Sequence, residues 1–81
     1  MQTDIWENRI EITIDDGDHF KSVCTPRDAI ACLANGWPEP HGKLYAAAKR
    51  ACMKALDGKV PLSAAEAAFI KAADEAGILR H

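Results

Sequence analysis

The chain reads as a two-layer α+β domain: an N-terminal antiparallel β-hairpin followed by three helices, ββααα, with the long second and third helices antiparallel. Three observations predict this. Ile10, Ile12 and Ile14 alternate with Glu11 and Thr13, the period-2 pattern of a half-buried strand. Two later segments carry apolar residues at helical spacing and end at a glycine. All 15 alanines lie at or after Ala29, so an Ala-free, isoleucine-bearing first third precedes an Ala-rich remainder. With 81 residues the chain makes one domain, residues 1–81, and excludes a second core, a Rossmann-type nucleotide domain or a barrel enzyme.

The first strand is predicted over Ile5 to Ile14, and Asp15-Asp16-Gly17-Asp18 supplies hairpin-turn chemistry ahead of a returning strand, His19 to Cys24. A two-residue Asp16-Gly17 loop places Val23 beside Ile10; a three-residue loop places Phe20 beside Ile14 and Cys24 beside Ile10. The first register is preferred, because it opposes two β-branched residues. Thr25-Pro26-Arg27-Asp28 opens the first helix, with Thr25 as N-cap, Pro26 at the first helical position and Asp28 at the capping-box position. Its apolar side is expected to carry Ala29, Ile30, Leu33 and Ala34, and Asn35-Gly36 closes it. Pro38 and Pro40 forbid helix in the connection that follows, and Trp37 is expected to fold back onto the core.

Lys43 to Asp57 reads as the longest helix, with Leu44, Ala48, Ala51, Cys52, Ala55 and Leu56 on its apolar stripe and Gly58 just past its end. Ser63-Ala64-Ala65-Glu66 has the form of a second capping box, with Leu62 and Ala67 placed as a weak hydrophobic staple. Ala65, Ala68, Phe69, Ala72, Ala73 and Ala76 then form one stripe, which Gly77 terminates. Small side chains on both stripes let the two helix axes approach the near end of the roughly 8–10 Å range. Their short connection makes them neighbours, stacked over the isoleucine face of the hairpin.

No residue pattern here specifies catalysis, and a non-enzymatic protein is expected. Cys24, Cys32 and Cys52 with His19 or His41 lack the close paired spacing of zinc ligands, so no metal or other cofactor is expected and buried thiols are the plain reading. Cys32 flanks its helix's apolar arc, which makes it the candidate reactive thiol. The Asp15-to-Asp18 cluster lacks the spaced ligands and bidentate glutamate of a calcium loop and reads as a solvated turn. An odd number of cysteines, no signal peptide and no long apolar run give a cytoplasmic protein with reduced thiols as the expectation.

Charge is distributed unevenly. Residues 1–20 hold six acids (Asp4, Glu7, Glu11, Asp15, Asp16 and Asp18) against Arg9, while residues 43–59 hold five bases (Lys43, Lys49, Arg50, Lys54 and Lys59) against Asp57. Lys43, Arg50 and Lys54 share one helical face, a candidate contact surface for an acidic protein or a phosphate backbone. A net charge of −2 argues against nucleic acid or a membrane surface as the main partner. Ile70, between Glu66 and Asp74 on the polar side of its helix, is either a single exposed apolar residue or part of an interface. A two-stranded hairpin leaves open edges, so a homodimer paired through the hairpin edge strands is expected, together with a protein partner that the sequence does not identify.

The chain resembles the small alphaproteobacterial family known as domain of unknown function 982. The resemblance runs over nearly the whole length. It is carried by Val23 ahead of the capped Ala29/Leu33 helix, Trp37-Pro38, Gly42, Tyr45, Ala48, Cys52, Ala55-Leu56-x-Gly58 and Pro61. It is carried also by the final block, Ala68-Phe69-Ile70-x-Ala72-Ala73-x-Glu75-Ala76-Gly77-Ile78, which together with Trp37-Pro38 is the specific part of the resemblance. It implies a shared fold, a rhizobial or related bacterial origin and a family without an assigned biochemical role, so no functional residue transfers. The thin, alanine-rich core and the open hairpin edges lead to a small protein-interaction or regulatory module acting as a homodimer, with an accessory nucleic-acid binder using Lys43, Arg50 and Lys54 as the alternative.

Overall fold

The structure is a computed structural model that describes residues 5–6, 9–14, 19–35, 37–38 and 41–79. Its element order is β1 (Ile10–Ile14), β2 (His19–Val23), α1 (Pro26–Ala34), α2 (Lys43–Leu56) and α3 (Leu62–Ala76). This is the ββααα order of the α+β class. The strands pair antiparallel with Ile10 opposite Val23 and Ile14 opposite His19, which is the register that opposes two β-branched residues. The turn at Asp15–Asp18 lies outside the described residues.

β1 is shorter than the strand expected over Ile5 to Ile14. Trp6 leaves the ladder and buries its indole in the core, while its backbone N–H donates to the Cys24 carbonyl at 2.8 Å. Ile10, Ile12 and Val23 form the inner face of the hairpin, all buried. β1's outer edge is occupied by the chain itself, which corrects the expectation of two open edges. After α3, Leu79 bridges antiparallel to Ile12, and the Thr13 N–H donates to the Ile78 carbonyl at 2.9 Å. Because hydrogen bonding alternates along an antiparallel strand, Thr13 faces away from β2 and Ile12 faces toward it. By the same alternation Ser22, opposite Glu11, turns its N–H and C=O outward from β2.

α1 starts as its sequence requires. The Thr25 side chain accepts the Asp28 N–H at 3.1 Å, and Pro26 sits at the first helical position. Its buried arc is Pro26, Ala29, Cys32 and Leu33, turned from the expected one: Ala34 is exposed and Cys32 lies inside, on the side approached by Lys21 of β2.

Ala48, Cys52 and Ala55 bury on α2, and Ala65, Phe69, Ala72 and Ala73 on α3, so the small-residue stripes of the two helices pack against each other. α1 packs mainly on α2. Leu56, expected in the stripe, is 40% exposed, because α2 ends there and the link returns Val60 and Leu62, rather than Leu56, to the core.

Both long helices end in the same hydrogen-bonded device. Gly58 at φ 75° and Gly77 at φ 74° take the left-handed conformation. Lys59 N–H then closes on the Lys54 carbonyl at 2.9 Å and Ile78 N–H on the Ala73 carbonyl at 3.0 Å, satisfying carbonyls the helix leaves open.

The beginning of α3 departs from expectation. Pro61 is the N-cap, with φ −70° and ψ 157°, so Ser63 lies inside the helix and no side chain caps this end. The helix starts two residues ahead of the predicted box because proline already holds the extended conformation an N-cap needs and Leu62 is drawn toward the core. With Leu62 inside the helix, the staple with Ala67 does not form.

Phe69 is the largest fully buried side chain and sits between two indoles, its ring centroid 5.8 Å from Trp6 and 5.6 Å from Trp37. Trp37 has therefore folded back as expected.

Candidate functional site

α2 is covered by α1 and α3 along one side and open along the other. The open side is organised by the helix's own geometry. Tyr45, Lys49, Met53 and Asp57 form one i, i+4 ridge and Ala46, Arg50 and Lys54 the next, with a shallow groove between them. Three cations line this groove against one carboxylate. Met53, 53% exposed, supplies its apolar middle, and the half-covered Leu56 lies one turn further on.

The N-terminal end of the groove is held rigidly. The Tyr45 hydroxyl donates to the Leu33 carbonyl at 2.6 Å, which ties the first turn of α2 to the end of α1. The His41 ring stacks on Tyr45, with centroids 3.9 Å apart and planes 12° from parallel, while Trp37 meets the same ring at 6.1 Å. Gly42, the N-cap of α2, carries no capping side chain. Glu75 of α3 stands over it instead, its Oε1 2.7 Å from where a Cβ on Gly42 would lie, and a carboxylate there complements the helix's positive end.

Of the residues singled out in the sequence, Lys43, Arg50 and Lys54 are all exposed on α2. Arg50 and Lys54 line the groove; Lys43 does not. Ile70 does not join them. It is half-buried and packs against the core, so it is neither an isolated surface residue nor part of this face.

Cys32 fails both conditions for a reactive thiol. It is 7% exposed, and burial raises its pKa above the ordinary 9.0, with Asp28 adding to the shift and Lys21 opposing it. Cys52 is buried too, and burial pushes it up to about 11. Among the described residues no group of three or more His, Cys, Asp or Glu could share a metal ion, and no helix is long and apolar enough to cross a membrane.

Sequence reasoning missed Tyr45, Lys49 and Met53. A signal was present: at 100° per residue Met53 lies roughly 140° from the centre of the apolar stripe, an unbranched apolar side chain on the polar arc. The same wheel puts Lys49 beside it.

No curated protein and no solved structure matches the chain. A family described as "Protein of unknown function (DUF982)" matches residues 8–80. The match takes in both strands, all three helices and the tail that pairs with β1, so the chain belongs to the domain of unknown function 982 family.

Proposed function

We propose that the chain is a small non-enzymatic protein-interaction module that meets its partner through the open face of α2. One observation carries this reading: a helix already packed on two neighbours still presents Met53 and Leu56 to solvent among Lys49, Arg50 and Lys54. Apolar side chains inside a ring of charge are what a protein interface uses for burial at its centre and register at its rim. Capture of host proteins by the intact chain tests it. A partner should be retained by wild type and by Lys71→Glu on the exposed side of α3, and lost with Met53→Asp. Equal loss or equal retention in both variants would remove the reading.

The alternative, a nucleic-acid accessory using Lys43, Arg50 and Lys54, draws on the same cations. An apolar methionine and Asp57 in the groove weigh against it, as does the net charge of −2. Fluorescence anisotropy at low salt decides: binding that is absent, or unchanged by Lys54→Glu, eliminates it.

Self-association is a second reading, narrowed to one edge. With β1 covered by Ile78 and Leu79, two copies would pair through β2 around a two-fold axis and close at a dimer. Lys21, exposed although it shares the inner face with Ile12, is a charge that resists such pairing. Light scattering after size exclusion tests this. A dimer abolished by Ser22→Pro, which removes an outward N–H without cutting the β1 ladder, supports it; a strict monomer at high micromolar concentration overturns it.

A further inference from the structure

We infer that the partner seated on α2 is an acidic amphipathic helix of another protein, an inference that rests on reading this face as the contact surface. The groove specifies a helix. It runs between two i±4 ridges, Tyr45-Lys49-Met53 and Ala46-Arg50-Lys54, and such a groove is filled by the ridge of a second helix. From Tyr45 to Asp57 it extends about 18 Å, the length of three turns or slightly more.

The charges specify the sign. Lys49, Arg50 and Lys54 flank the apolar middle against Asp57, so carboxylates on both sides of the incoming apolar ridge would be matched and cations repelled. Asp57 at the C-terminal end of the groove leaves the favourable potential over the first two turns, which places the partner's acids opposite Lys49 and Arg50. Met53 specifies the contact between them. An exposed, unbranched and polarizable side chain adapts to a leucine or phenylalanine anchor, as methionine-rich helix-binding grooves do. The first turn is pre-organised by the Tyr45–Leu33 hydrogen bond and the His41 stack, so little ordering is required there on binding.

The test uses the full chain with labelled, helix-stabilised peptides of about four turns. One carries leucines at i, i+4 and i+7 flanked by glutamates. A second replaces the glutamates with lysines, a third replaces the leucines with alanines, and a single-stranded oligonucleotide serves as polyanion. Anisotropy gives affinity, and amide shifts of the protein give location. The acidic amphipathic peptide should bind at least ten times more tightly than either variant peptide and more tightly than the oligonucleotide, with shifts on residues 45–57. Lys49→Glu/Lys54→Glu should invert the preference between glutamate and lysine peptides.

Equal binding of the two charge types, no binding of the acidic peptide, or tighter binding of the oligonucleotide on α2 would overturn the inference. Those results leave the surface reading intact if host-partner capture still depends on Met53. Shifts confined to β2 or α3 would overturn both.

Discussion

Phe69 is where a single atom group matters most to this fold. Its ring is fully buried between Trp6 and Trp37, so Phe69→Ala removes transfer energy and two aromatic contacts together. It should lower unfolding free energy by about 3–5 kcal/mol in a denaturant titration. Phe69 was legible in the sequence as the one large residue in an alanine stripe. Trp6 was not, because it reaches Phe69 across most of the chain and nothing local in its segment marks it as buried. The thiols behave as burial dictates. Cys52 is held neutral in the fold, at about 11 against an ordinary 9.0, so the unfolded chain loses its proton first as pH rises. Its contribution to stability is complete below pH 9.0 and disappears as pH rises to about 11. Unfolding titrations across that window should show stability falling with pH, with a shallower fall in Cys52→Ala. Cys32 should react with a thiol probe only after unfolding; rapid labelling of the native chain would restore it as a redox candidate.

Helix starts and stops show which local rules tertiary packing respects. Thr25-Pro26-Arg27-Asp28, Gly58 and Gly77 act where the sequence puts them, because each satisfies its own backbone within one turn. Gly77→Ala should cost about 1–2 kcal/mol, since alanine at φ 74° meets the left-handed steric penalty. The capping box predicted at Ser63 gave way to Pro61 and to burial of Leu62, an outcome that depends on α2 and is invisible in the segment alone. The tail was likewise illegible. Ile78 and Leu79 follow the helix-ending Gly77 without a strand pattern of their own, yet they pair with β1's outer edge. Ending the chain at Gly77 should therefore cost on the order of 2 kcal/mol in lost burial and hydrogen bonding. It should also raise self-association by uncovering that edge, visible as an increased mass in light scattering.

The molecule as a whole is an alanine-spaced helix pair that caps an isoleucine hairpin and leaves α2 half open. The alanine stripes of α2 and α3 pack against each other, and the side chains of Trp6, Trp37 and Phe69 fill the core beside them. Charge polarity was readable from composition by region, and the basic half of it lies on the face that packing leaves free. The apolar half of that face was not read, because Met53 is ordinary in sequence and acquires meaning when its neighbours on the helix surface are known. The most direct test is a photo-crosslinking amino acid placed singly at Met53, at Lys71 and at Ser22 in the intact chain within its native host. A discrete adduct with another protein from position 53 alone is the expected result. Adducts from position 71 or 22 with none from position 53 would contradict the assignment of α2 as the working surface.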